Sequence, residues 1–582
     1  VTVSVLYWRE VTKPMRAPSV LLLLAVAVAV SAALVRAHDT PAAFMDPRDD
    51  ATAAALEKVR RLAADARDAG VFGAATLRGS DDCTKCRDTA ATVFGLIATD
   101  PALVAGILEG VLCKDRTTAA EASSTSSCKD VVKDIVDELS VLANKAIHGG
   151  FHLPQVLCND ILRKCSVPCC ETPTTPEQVH LSIPTTRANE GYMAVSWATL
   201  EPTELSVVQY WPAFLDPHES TTALGTNFTY THGGWIGVLH SATMSGLAND
   251  TMYAYRVGAS HDGPWSPVYN FTTFPTVIGT PARPLRAIQI ADMGCGENAK
   301  PTIAAIAERV ARREVDVVFH PGDIGYDDGD EHVWDVFMRA IEPIAARVPY
   351  MTAPGNHELL WNFSAYKRRF PAMPSALPRT VGHFDDVAMF YELNIGPFSV
   401  FMLDSESVID TAEITPMQSA WFADAAMAAA AANRPILTMT HRPMYCSSGA
   451  SNCEEMAAFV REGIESTLNR AKVLLHTTGH LHEYERTLPI NASGEAANAF
   501  ASNATYVNPT APTYIVNGAA GNPAGQNSFK TIRPWSVAHS LAVGYNVWSL
   551  SAGTDGGHVS IASAFVDSVS GQTIDAFTIT RD

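Results

Sequence analysis

From residue 285 onward the chain repeats one pattern, a short apolar run that ends in a polar cluster. "LRAIQIADMG", "VDVVFHPGD", "VPYMTAPGNHE", "PILTMTHRP" and "KVLLHTTGHLH" all follow it. Such runs predict buried strands. Between the first two, "TIAAIAERVARR" predicts a helix. Strands alternating with helices predict an α/β domain over residues 284–582, with functional groups gathered at the carboxyl ends of the strands. Over 176–276 the pattern changes to alternation, in "VHLSI", "YMAVSWATL", "LSVVQYW", "GWIGVLHSATMSGL", "YAYRVGA" and "VYNFTTF". Short strands separated by turn residues predict a β-sandwich. Trp197, Trp211 and Trp235 are expected in its core or an interface. The Pro- and Thr-rich "VPCCETPTTPEQ" marks the boundary before it.

A third pattern precedes that boundary. Val132, Ile135, Leu139, Leu142 and Ala146 recur at intervals of three and four, one apolar face of a helix. "AATVFGLIA" and "ALVAGILEGVLC" are similarly apolar. Cys83, Cys86, Cys113, Cys128, Cys158 and Cys165 surround these segments. An even set in a secretory chain reads as a disulfide framework, with about fifteen connectivities open to six cysteines. A zinc set is not completed, because no second close CxxC or HxxxH accompanies Cys83 and Cys86.

The first residues read as a targeting segment. Met15 and Arg16 precede "VLLLLAVAVAV", and "VRA" ending at Ala37 has small residues where a signal peptidase requires them. Residues 1–37 are therefore expected to be an upstream extension and a cleaved leader, and 38–79 a helical or linker segment. The competing reading is a membrane anchor over Ala17–Val35, which is almost long enough to span. Sequons at Asn227, Asn249, Asn270, Asn362, Asn491 and Asn503 fit the secretory route. The expected location is secreted, or lysosomal or vacuolar.

The formal net charge of −19 argues against a nucleic-acid partner, since no basic patch offers itself to phosphates. A phosphate ester substrate would be repelled by the global field and must be attracted by local cations. The five strand ends carry Asp292, Asp323 with Tyr326, Asn356 with His357, His441, and His480 with His482. Any one of these could be a turn residue or a satisfied core histidine. Five in order at strand ends point to metal. Carboxylate, amide oxygen and imidazole suit a pair of hard-to-borderline cations. One carboxylate can bridge two ions about 4 Å apart, as in two-metal hydrolases. A phenolate from Tyr326 is a hard anionic donor that favours a ferric ion. In "HPGDIGYDDGD" (320–330), Asp323 and Tyr326 are read as ligands, and Asp327, Asp328 and Asp330, with Glu331 just after, as solvated loop.

Together, DMG at 292–294, GDIGY at 322–326, GNHE at 355–358, His441 in "THRPMY" and GHLH at 479–482 resemble the five motifs of purple acid phosphatases. The module over 176–276 resembles that family's fibronectin-like (Ig-like) amino-terminal domain, and "PTYIVNGAAGN" and "RPWS" resemble its carboxyl-terminal region. The resemblance implies a ferric site of Asp292, Asp323, Tyr326 and His482, and a divalent (Zn, Mn or Fe) site of Asp323, Asn356, His441 and His480. It implies substrate binding by Asn356 and His357. Plant members carry further histidines beyond the position of His441, but "CSSGASNCEE" has none here, which leaves His357 as the acid for the leaving group. Cys446 and Cys453 bracket this loop and are expected to pair.

The cysteine order and helices over 80–171 resemble a saposin B-type domain. Family connectivity implies Cys83–Cys165, Cys86–Cys158 and Cys113–Cys128. Such a domain presents an apolar face to a lipid surface or caps a neighbouring domain, and both readings stay open. Cys169, Cys170 and Cys295 have no assignable partner. The expected activity is phosphomonoester hydrolysis. Two alternatives differ in class. One is a lipid phosphodiesterase of the acid sphingomyelinase kind, against which the β module and Tyr326 speak. The other is a non-catalytic lipid-binding protein, against which the full ligand set speaks.

Overall fold

In this computed structural model the described residues are 166–170 and 172–582, apart from 377–388, 407–413, 450–452, 499, 501 and 554–556, together with scattered positions between 83 and 159. The segment read as a leader, most of the cysteine-rich segment, and Cys113, Cys128 and Cys165 lie outside them. The chain divides into two units. One comprises Val1–Val167, Thr231–Trp235 and Asp328–Glu331, and the other the remainder. In the first unit, Cys86 is bonded to Cys158, Arg87 donates to Asn159 Oδ1 at 3.2 Å, and Cys83 is disulfide-bonded. No helix among the described residues is long and apolar enough to cross a membrane.

The second unit holds both the alternating and the α/β patterns. Two four-stranded sheets form the sandwich. One orders Tyr269–Thr272, Met252–Gly258, Val207–Pro212 and Thr221–Leu224; the other orders Glu177–Ser182, Met193–Thr199, Val238–Met244 and Thr226–Phe228. Val179, Val195, Trp197, Val208, Tyr255 and Phe271 interleave as its buried core. Trp197 and Trp211 are buried, consistent with packing roles.

The α/β part is built on two seven-stranded sheets. The first places Tyr350–Ala353, Val317–Pro321 and Leu285–Gln289 side by side and parallel, then adds Gly544–Ser551, Val559–Asp567 and Thr573–Arg581 antiparallel. The second runs Tyr391–Ile395, Phe398–Met402, Ile436–Met439, Leu475–Thr478, Thr513–Asn517, Tyr484–Thr487 and Ser536–Ser540, with the four from Phe398 to Thr513 in parallel. Val317–Pro321 and Leu475–Thr478 are buried at every position, as sheets covered on both faces require. The predicted first helix forms over Lys300–Ala311 and turns Ile306 and Val310 inward.

Within this unit the sandwich is bound to the helix Glu331–Ala345 and its surroundings by buried polar contacts. The Glu342 carboxylate accepts from the backbone of Gln178 at 2.7 Å and Val179 at 3.2 Å, and also from the Tyr269 hydroxyl. Tyr255 donates to the Ala346 carbonyl at 2.8 Å. Arg369 pairs with Asp335 at 3.0 Å, both fully buried, and donates to the Tyr230 hydroxyl. Buried charges survive only when paired and hydrogen-bonded in this way.

One cysteine expectation changes. Cys169 and Cys170, left without partners above, are bonded to each other. Cys446 is bonded to Cys453, and Cys295 is a free thiol. The sequon residues Asn227, Asn249, Asn270, Asn362 and Asn503 are exposed, and Asn491 is half-buried.

Candidate metal centre

The candidate ligands follow the carboxyl ends of five strands drawn from both large sheets. Asp292 follows Leu285–Gln289, Asp323 follows Val317–Pro321, Asn356 follows Tyr350–Ala353, His441 follows Ile436–Met439, and His480 follows Leu475–Thr478. The chain turns sharply at each end. Asp292, Asp323, Tyr326 and His480 all adopt left-handed backbone, with φ of 57°, 51°, 57° and 67°. For residues other than glycine this conformation costs on the order of 1–2 kcal/mol each. Four such positions in one site mark a backbone held by its surroundings so that side chains converge.

The glycines of the motifs leave room for the carboxylates. A Cβ on Gly355 would lie 2.2 Å from Asp323 Oδ1, and one on Gly479 would lie 2.2 Å from Asp292 Oδ2. No side chain fits at either place, so "GN" and "GH" are packing requirements of the site.

Two donor groups result, and they share one residue. Asp323, His441 and His480 have ligand atoms within 4.8 Å of one another, and so do Asp292, Asp323 and His482. In the first group, Asn356 Oδ1 lies 3.1 Å from His441 Nε2 and 2.8 Å from His480 Nδ1, and His441 Nε2 is 3.2 Å from Asp323 Oδ1. In the second, the Tyr326 hydroxyl lies 3.2 Å from Asp292 Oδ1 and 3.1 Å from His482 Nε2. The structure thus brings together all seven side chains read from the motifs.

Hydrogen bonds behind the site orient the donors. His441 Nδ1 faces the Pro321 carbonyl at 3.2 Å, and His482 Nδ1 faces the Gly525 carbonyl at 3.1 Å. A carbonyl only accepts, so each Nδ1 carries the proton and each Nε2 turns a lone pair inward, as a metal ligand requires. The Glu358 carboxylate accepts the backbone N–H groups of Asp323 at 2.9 Å, Ile324 at 2.8 Å and Gly355 at 2.8 Å, tying two of the strand ends together.

The charges fit a cation-binding pocket. Burial and the carboxylates of Asp292 and Asp323 push the Tyr326 phenol well above its usual range, so a phenolate there needs positive charge beside it. Burial works against the charge on Asp323, but His441 and His357 hold its carboxyl well below the usual range. Burial also opposes charge on His441, but Asp323 overrides it and raises the imidazole to about 9, so a cation bound at Nε2 has to displace a proton there. Burial and neighbouring Asp323 raise Glu358 to about 7. Carboxylate, phenol, amide oxygen and imidazoles converging in two groups around one shared aspartate are the donors a pair of ions needs.

His357 occupies a different place. Its ring packs on that of Tyr326, with centroids 4.4 Å apart, and its Nε2 is 3.8 Å from Asp323 Oδ2. Its side chain is 18% exposed, against 1% for Asp323, so it stands at the mouth of the site rather than at its floor.

One expectation fails. Asp327, Asp328 and Glu331 are buried, not solvated, and Asp330 is half-buried. Glu331 opens the helix Glu331–Ala345, where the helix dipole favours a carboxylate. Two groups escaped the sequence reading. Glu358 was visible in "GNHE" but had no chemistry assigned. The turn "DSE" at 404–406 follows the strand Phe398–Met402; its Glu406 pairs with Arg442 at 2.9 Å and its Ser405 hydroxyl accepts from the Arg442 backbone at 3.0 Å. Its position at a further strand end was the available signal.

Comparison with known proteins agrees with this geometry. The family model "Purple acid Phosphatase, N-terminal domain" matches residues 176–273, and "Calcineurin-like phosphoesterase" matches 285–484. The human protein named "Acid phosphatase type 7" is 32% identical over 435 residues, covering 70% of this chain and 91% of its own. "Purple acid phosphatase 22" of Arabidopsis thaliana is 27% identical over 365 residues, covering 60% of this chain and 73% of its own. A solved purple acid phosphatase from yellow lupin (Lupinus luteus) seeds superposes with a TM-score of 0.58 at 23% identity, covering 71% of this chain and 75% of its own, a likeness of fold.

Proposed function

Because the chain belongs to the purple acid phosphatase family, whose members use a binuclear metal centre, and is accordingly an acid phosphatase, we propose that it hydrolyses phosphomonoesters with a ferric ion and a divalent ion. The observation that carries this reading is the pair of donor groups sharing Asp323. Asp292, Asp323, Tyr326 and His482 would hold the ferric ion, and Asp323, Asn356, His441 and His480 the divalent ion (Zn, Mn or Fe). When bound, the two ions supply Lewis acidity, which favours ionised water and offsets charge on the phosphoryl oxygens.

The protein's own residues do the rest. The Glu358 carboxylate holds the turns that carry Asp323 and Asn356 by accepting the backbone N–H groups of Asp323 and Gly355. His357, at the mouth, contacts the phosphate group and delivers a proton from its imidazolium to the departing ester oxygen. Burial of the floor excludes bulk water, so each polar group acts at higher effective strength than in solvent.

The leader and sequons support a secreted, or lysosomal or vacuolar, glycoprotein. The cysteine order over 80–171 supports a saposin-like module, whose apolar face we assign to lipid contact. Deleting that module should selectively reduce activity on a headgroup phosphate presented in vesicles. Equal loss on a soluble monoester would make it a structural cap. For the catalytic reading, purified protein is assayed on p-nitrophenyl phosphate at acidic pH before and after chelation. Activity lost on chelation and restored by added metal is expected, with Asp323→Asn inactive. Activity indifferent to chelation, or an Asp323→Asn variant as active as the parent, would exclude it.

A further inference from the structure

A cavity of about 560 Å³ lies far from the metal centre, where the sandwich meets the α/β part. Its walls include Arg286, Asp316 and Arg347. These residues begin or precede the strands Leu285–Gln289, Val317–Pro321 and Tyr350–Ala353, whose opposite ends lead to Asp292, Asp323 and Asn356. A strand of five residues spans about 17 Å, which separates the two places along the same three strands.

The cavity is basic in an acidic protein. Arg283, Arg286, Arg313 and Arg347 line it against Asp250 and Asp316. Four guanidinium groups against two carboxylates leave two positive charges, in a chain of formal net charge −19. Asp316 holds two of the four in place: Arg283 at 2.8 Å and Arg286 at 2.7 Å reach the same oxygen. The other two make no ion pair among the described residues, although the Arg347 charge is felt by the Tyr255 and Tyr269 hydroxyls. Arg313 touches the Met252 sulfur at 3.8 Å. Arg313 also stands just past the helix Lys300–Ala311 in left-handed backbone, φ 59°, where glycine is preferred. The apolar side of the cavity is formed by residues such as Phe274 and Val348. A volume of this size falls in the range that takes small organic ligands.

We propose that this cleft is a second anion site, which binds the phosphate group of an organic phosphate on its arginines and the organic part on its apolar wall. Planar guanidinium groups recognise phosphate oxygens in pairs. Arg313 and Arg347 make the contacts, and the fixed pair on Asp316 supplies the field behind them. The site does not depend on the metal centre.

The test uses full-length protein carrying Asp323→Asn, which disables the metal centre, with the Asn270 sequon that lines the cleft left intact. Phenyl phosphate and inorganic phosphate are titrated by calorimetry. One saturable site for phenyl phosphate, weakened by salt, is expected, with inorganic phosphate bound more weakly. Adding Arg313→Gln and Arg347→Gln should weaken it about tenfold or more, as lost charge-assisted contacts do. In the native-Asp323 background the same two changes should leave kcat on p-nitrophenyl phosphate unchanged. Tighter binding of inorganic phosphate than phenyl phosphate would remove the apolar half of the proposal. No binding, or binding indifferent to the two arginines, would overturn it.

Discussion

Gly355→Ala adds one methyl group at the point where two strand ends meet. The new Cβ would lie 2.2 Å from Asp323 Oδ1 and 2.3 Å from the Asp323 backbone nitrogen. The Gly355 backbone, at φ −113°, is open to any residue, so the conflict is one of space alone. Relief to ordinary contact requires a shift of about 1 Å. The shift cannot be taken by a flexible side-chain end. The Asp323 N–H is bound to Glu358, and its Oδ1 accepts from the His357 backbone at 3.1 Å. Overpacking of this kind costs about 1–3 kcal/mol of stability. A misplacement of about 1 Å at reacting groups costs about a hundredfold in rate. The assay is kcat on p-nitrophenyl phosphate, with metal content by mass spectrometry and Tm by calorimetry. Gly296→Ala, whose Cβ meets nothing within 4 Å, is the control and should match the parent. A Gly355→Ala protein with full metal content and parental kcat would refute the packing argument.

His357→Ala should lower kcat far more on an alkyl phosphate than on p-nitrophenyl phosphate, whose leaving group scarcely needs a proton; equal losses would assign His357 to phosphate binding alone. Asp316→Asn tests a pH-dependent contribution. Burial opposes the Asp316 charge, but hydrogen bonds from Arg286 and Arg283 hold its carboxyl below the usual range. Its contribution is therefore full above the unfolded value of about 3.9 and is lost as pH falls through the lower folded value. Denaturant titration should show a loss of about 1–2 kcal/mol at pH 6, a figure reduced because both arginines are 37% exposed, and the difference should narrow below about pH 4. Arg369→Met removes a fully buried ion pair of Asp335 and should cost about 3–5 kcal/mol, whereas adding Asp335→Asn should recover part of it in the same titration.

Much of the α/β part was legible because its pattern is local. Each parallel strand is a short apolar run, and the polar residues that end it are the ones the turn presents to the site. The antiparallel strand Gly544–Ser551 pairs with Leu285–Gln289, more than 250 residues away, and nothing near either segment announces it. Asp327 and Asp328 show a second limit. A run of carboxylates reads as solvated, but their burial is set by the tertiary fold around them. Glu358 was missed because its work is done on backbone N–H groups, which no side-chain motif displays. The pairing of Cys169 with Cys170 was missed because spacing arguments look for separated partners.

The proposed centre holds two unlike ions around Asp323, one of them ferric and bound to Tyr326. The most direct measurement is the visible absorption spectrum of purified protein, taken with metal analysis on the same sample. Two metal ions per chain, one of them iron, are expected, with a visible band that Tyr326→Phe removes while the folded state persists. A colourless parent with two zinc ions per chain, or a band unchanged in Tyr326→Phe, would contradict it.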